Sequence, residues 1–156
     1  YLAGIIEALG RYSRPAAIPA LVCALGDDTS RPAAEEALMR LGRKTVPALV
    51  AAARSLSPAA DNESDGDRRK RRSALGLLAR TASIGRVWPQ LRDLVDDPDP
   101  RISFIACKLC LIHGTTAERS RALECMNDLL PSADWILRQD IRECLAVHRA
   151  GGLCPP

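Results

Sequence analysis

Large aromatic side chains are scarce in this sequence: 156 residues include two Trp, two Tyr and one Phe. A core must therefore come from small and aliphatic groups, and 24 Ala and 21 Leu supply them. Both are strong helix formers. The β-branched and aromatic residues that strands favour are too few and too scattered for a sheet. No stretch approaches the roughly 20 apolar residues of a membrane helix, so no membrane partner is expected. No Ser/His/Asp set, Gly-rich phosphate loop or HExxH pattern is present. Without a nucleophile, base or metal, catalysis has no mechanism. The expectation is a protein that is not an enzyme and uses no cofactor.

What is present describes a folded chain, 47% hydrophobic and 26% charged, too apolar for disorder. Its length fits one domain over residues 1–156. Residue 1 is Tyr and lies inside a helical pattern, which reads as a piece of a longer chain. The net charge is +3, of which Arg68, Arg69, Lys70, Arg71 and Arg72 contribute +5, leaving −2 for the rest. Six Cys, mostly on apolar helical stripes, suggest buried thiols in a reducing compartment, hence the cytoplasm.

The helical period and the breakers mark nine segments, near 1–10, 15–26, 30–41, 44–56, 68–82, 85–96, 100–113, 116–130 and 133–149. In the third, Ala34, Ala37, Leu38 and Leu41 share a face, with Ser30 as the expected N-cap and Gly42 as the stop. In the last, Leu137, Ile141, Cys144, Leu145 and His148 form one stripe. Between Ser57 and Asp67 the chain turns polar and acidic, and an inserted mobile loop is expected there. The basic run after it should be mostly exposed.

Two phrases recur. An apolar residue, Pro, and Leu two positions later appear as Ile18-Pro19-Ala20-Leu21, Val46-Pro47-Ala48-Leu49 and Trp88-Pro89-Gln90-Leu91. A second phrase closes one helix and opens the next, at Leu25-Gly26-Asp27-Asp28 and Leu94-Val95-Asp96-Asp97-Pro98-Asp99-Pro100-Arg101. Pro in a first helical turn costs no hydrogen bond, and acids favour the positive N-terminus.

These phrases resemble the HEAT repeat, in the short variety also seen in phycobilisome-lyase-like proteins. The stretch Ala17 to Ala53 is similar to that repeat almost throughout, Asp96 to Gly114 with a longer first helix, and Ser132 to Gly152 more loosely. The resemblance implies an all-α, right-handed superhelix of about nine helices, whose second helices line a concave face. It implies little about activity, since the family mainly supplies docking surfaces, and the best reading is a non-catalytic scaffold for protein–protein interaction. On those second helices Arg54, Arg86, Arg92, Arg119 and Arg121 fall off the apolar stripe beside Glu118. Their excess of Arg suggests a protein partner with an acidic surface. The alternative is nucleic acid, held by that groove with Arg68–Arg72, although no interleaved aromatics offer single-strand stacking. HEAT-type hydroxylases bind di-iron through His-Glu pairs, but here Gly114 and Arg149 follow the two histidines. Lyase or DNA glycosylase activity would rest on fold analogy alone, with Trp88 and Trp135 expected to pack between repeats.

Cys107-x-x-Cys110-x-x-His113 has the look of a metal run. On one helix, however, its ends lie about 9 Å apart along the axis and roughly 120° apart around it. Three such ligands cannot converge on one tetrahedral zinc; two of them joined by Cys144 and His148 could. The expected role of these residues is core filling, with no metal.

Overall fold

The sequence breakers coincide with helix ends at most junctions of the computed structural model, which describes residues 4, 5, 8, 14–55, 63–81 and 84–152. Among the described residues there are helices and turns and no strand. A 3-10 turn (Pro15–Ala17) leads into α1 (Ile18–Ala24), followed by α2 (Arg31–Leu41). A second 3-10 turn (Gly42–Thr45) leads into α3 (Val46–Arg54), followed by α4 (Asp65–Ala79). Then come α5 (Ile84–Leu91), continued by a 3-10 turn (Arg92–Asp96), α6 (Pro100–His113), α7 (Thr116–Leu129) and α8 (Trp135–Arg149). The helix expected over 1–10 and the first part of the expected loop, 57–62, lie largely outside the described residues. Among the described residues no helix is long and apolar enough to cross a membrane.

The chain divides into two compact units, Tyr1–Ser83 and Ile84–Pro156. In the first, α1 packs on α2 and α3, and α3 packs on α4. Leu21, Leu25, Leu38, Leu49, Leu75, Leu77 and Leu78 are fully buried there, each worth about 1.5–3 kcal/mol relative to exposure. Two glycines permit this packing. Gly42 ends α2 at φ 64°, a left-handed conformation that a side chain resists. A Cβ on Gly26 would meet the Gly66 carbonyl oxygen at 2.8 Å, so only glycine lets the α1–α2 turn approach the first turn of α4.

Three local expectations are corrected in this unit. Ser30 does not cap α2; its hydroxyl and amide are both donated to Asp27 Oδ2, at 2.6 and 2.9 Å. Those bonds hold the Asp27 carboxyl below its usual range. Next, α4 begins at Asp65 rather than near 68, because the Ser64 hydroxyl accepts from the Asp67 amide at 3.1 Å and two acids occupy the first turn. The segment expected to stay loose through 67 is therefore ordered helix from 65 on. Finally, the side chains of Arg68–Arg72 are not an exposed run, for reasons given with the site.

In the second unit α6 packs on α5, on the Arg92–Asp96 turn, on α7 and on α8. Helix α6 is therefore apolar nearly all round, with Ile102, Phe104, Ala106, Cys107, Leu109 and Leu111 buried. Its helices carry true caps: Asp99 on Arg101 N at 2.9 Å, Thr115 with Glu118 in a reciprocal capping box, and Asp134 on Leu137 N at 2.8 Å, each of a type worth about 1 kcal/mol. The third Pro phrase behaves unlike the first two. Pro19 and Pro47 stand in the first turns of α1 and α3, whereas Pro89 lies inside α5, where a 3-10 turn soon replaces the α-helix.

Candidate docking surface

Arg and Lys side chains are where the sequence pointed, so their partners decide what the surface can do. In the first unit Arg71 is wholly buried and donates to Glu63 at 3.2 Å and to the Ala53 carbonyl at 3.3 Å. The Glu63 side chain is itself 5% exposed. Arg68 also approaches Glu63, at 3.9 Å, and Asp65, at 3.7 Å. Arg69 pairs with Asp28 across the fold, and Lys70 with Asp67 at 3.7 Å. Arg72 is half-buried and also has partners. The run is thus acid-paired rather than a free basic patch, with Arg71 buried and Arg68, Arg69, Lys70 and Arg72 partly exposed. Arg54, at the end of α3, is exposed and engaged as well.

In the second unit Arg92 reaches Glu118 at 3.3 Å, and Arg121 pairs with Asp96. Arg119 donates to the Ile112 carbonyl at 3.4 Å. Arg86 is exposed and makes no ion pair among the described residues. Arg92 and Arg121 line a pocket of about 260 Å³ with Trp88, Val95 and Cys110, but Asp93, Asp96 and Glu118 line it too. Two cations against three carboxylates make a poor anion trap. The Glu118 carboxyl is held below its usual range, chiefly by the Thr115 amide at 2.8 Å and further by Arg92. The indole N–H of Trp88 is buried and closes no hydrogen bond; it lies near enough to Glu118 to add slightly to that stabilisation.

The cysteines are not chemically poised. Burial pushes the Cys107 thiol up to about 12 and the Cys110 thiol up to about 11, so neither offers a thiolate at neutral pH. Cys23 is exposed, Cys125 half-buried, and Cys144 is disulfide-bonded, unlike the reduced thiols expected. Among the described residues no three His, Cys, Asp or Glu side chains gather as a metal set. Trp135 is 77% exposed at the first position of α8, where a core role was expected. The stripe through Leu137 and Ile141 turns inward and leaves it on the opposite side.

A feature absent from the sequence expectations lies in the first unit. The end of α2, the Gly42–Thr45 turn, α3 and the end of α4 enclose a cleft of about 250 Å³. Leu38, Met39, Leu49 and Leu77 form its walls, and Arg43 and Arg80 border it. No acid lines it. The turn after Gly42 announces Arg43 and Lys44 in the sequence, but nothing there brings Arg80, 37 positions on, beside them.

No family model matches the chain, and no curated protein or solved structure matches it.

Proposed function

We propose that this chain is a non-catalytic docking module built on HEAT-like helix pairs, wound in the right-handed superhelix its repeated phrases suggest, and that it holds a protein with an acidic surface. Helices that pack on their near neighbours in sequence, in both units, support the repeat reading. One observation carries the choice of partner. Among the described residues Arg14, Arg43, Lys44, Arg80, Arg86, Arg142 and Arg149 have no ion pair or hydrogen bond from the side chain, whereas only Glu124 and Asp128 are carboxylates in that state. The fold consumes its acids internally and leaves guanidinium groups outside, where they can take carboxylates in bidentate fashion. Residence in the cytoplasm belongs to the same reading. Free thiols at Cys23, Cys107, Cys110 and Cys125 fit it, and the disulfide at Cys144 does not.

Binding of an Asp/Glu-rich peptide and of duplex DNA, titrated in parallel from about 50 to about 300 mM salt, tests the proposal. The module should bind the peptide more tightly than the duplex at every salt concentration. Tighter binding to the duplex, with a steep salt slope, would transfer the function to nucleic acid.

A further inference from the structure

The cleft of the first unit is small, apolar inside and cationic at its edge, and these three properties together select an occupant. Its volume of about 250 Å³ falls below the roughly 300–1,000 Å³ of pockets that enclose cofactors and drug-sized ligands. One or two side chains fit; a nucleotide or an acyl chain does not. Its walls present Leu38, Leu49 and Leu77, together with Met39, which is 43% exposed and adapts readily to a guest. The two hydroxyls at its border are already committed, Thr45 to the Gly42 carbonyl at 2.7 Å and Thr81 to the Leu78 carbonyl at 2.9 Å. Neither hydroxyl has a proton left for an acceptor on a guest, which favours an apolar one. At the border stand Arg43 and Arg80, exposed and without ion pairs among the described residues, and Lys44 follows Arg43.

We infer that this cleft receives a single bulky aliphatic or aromatic side chain from an acidic segment of the partner, while Arg43 and Arg80 hold carboxylates that flank that anchor in the partner sequence. The inference rests on the acidic-partner reading above and adds a place and a motif to it. Apolar burial in the cleft provides affinity, and the two guanidinium groups provide register and exclude basic partners. Phosphate alone would satisfy the cations and leave the apolar walls uncovered, which is why a peptide suits the site better than a nucleic acid backbone.

A fluorescein-labelled peptide with a single Leu between Asp and Glu residues, titrated by fluorescence anisotropy against the whole chain, is the probe. Replacing that Leu by Ser should weaken binding roughly tenfold. Arg43→Glu and Arg80→Glu should each weaken it about threefold to tenfold, with helical circular dichroism unchanged. Arg86→Glu and Arg142→Glu, away from the cleft, should each weaken it less than either of these, by under about twofold. If Arg86→Glu or Arg142→Glu weakens binding while Arg43→Glu and Arg80→Glu do not, the cleft assignment is overturned and the acidic-partner reading survives. If the peptide fails to bind at all, or duplex DNA competes it away completely, both are overturned.

Discussion

The two units are made of the same kind of short amphipathic helix, yet they treat charge in opposite ways. In residues 63–81 the densest basic run of the chain is neutralised by Glu63, Asp65, Asp67 and Asp28, while Arg43 and Arg80 have no ion pair among the described residues and border an apolar cleft. In residues 84–152 the pocket between the Arg92–Asp96 turn, α6 and α7 is lined by more acids than cations. A cluster of arginines in sequence is therefore no guide to a basic surface. What matters is whether acids reach it after folding, and the acids around Arg68–Arg72 are close in sequence or brought close by the Gly26–Gly66 contact.

The largest effect should come from the buried pair of the first unit. Arg71→Ala would take from buried Glu63 its nearer cation and leave Arg68 at 3.9 Å, and breaking a buried pair costs about 3–5 kcal/mol. Replacing both, by Arg71→Met with Glu63→Gln, should cost far less, since an apolar substitute for a whole buried pair is often nearly neutral. Urea unfolding decides this, and a loss of under about 1 kcal/mol for Arg71→Ala would show that the pair is solvated. The buried polar atom of the second unit predicts the contrary behaviour. Trp88 Nε1 closes no hydrogen bond and adds only slightly to the stabilisation of the Glu118 carboxylate, so Trp88→Phe should cost little beyond its volume, about 1–2 kcal/mol. A loss above about 3 kcal/mol in the same assay would reveal a strong indole bond.

Alkaline pH should distinguish the units more gently. The folded Cys107 thiol titrates near about 12, above its ordinary 9.0, so folding favours the protonated form. Its contribution is complete below pH 9.0 and fades as pH rises toward about 12. Unfolding followed from neutral to alkaline pH should show this loss, and Cys107→Ala should flatten it. In the native state Cys23 should react first with a thiol reagent, ahead of Cys107 and Cys110. Rapid labelling of Cys107 would mean that α6 opens locally. The smallest change is expected at the surface pair of the second unit, where Arg92→Ala should cost less than about 1 kcal/mol in the same unfolding assay.

Helix positions were largely legible because they depend on local signals. Pro15, Pro19, Pro32, Pro47 and Pro100 stand in first turns, and the stripes of α2, α6 and α8 follow the helical period. What sequence could not show was the pairing of distant groups. Ser64 caps α4 by accepting from the Asp67 amide, but the polar composition around it pointed to a loop. Glu63 lay in a stretch that looked dispensable, and its contacts with Arg71 and Arg68 make it structural. Trp135 illustrates the reverse case, an aromatic that composition assigns to the core and the helix period assigns to solvent. The cleft itself joins residues from 38 to 81, so no local pattern could have announced it.

Complementary charge reversal tests the central claim most directly. The chain carrying both Arg43→Glu and Arg80→Glu should lose affinity for the acidic Leu peptide in an anisotropy titration and should gain affinity for the same peptide with its acids replaced by Lys. Wild-type chain should show the opposite order. If the reversed chain keeps its preference for the acidic peptide, the cleft is not where a partner docks, and the account is contradicted.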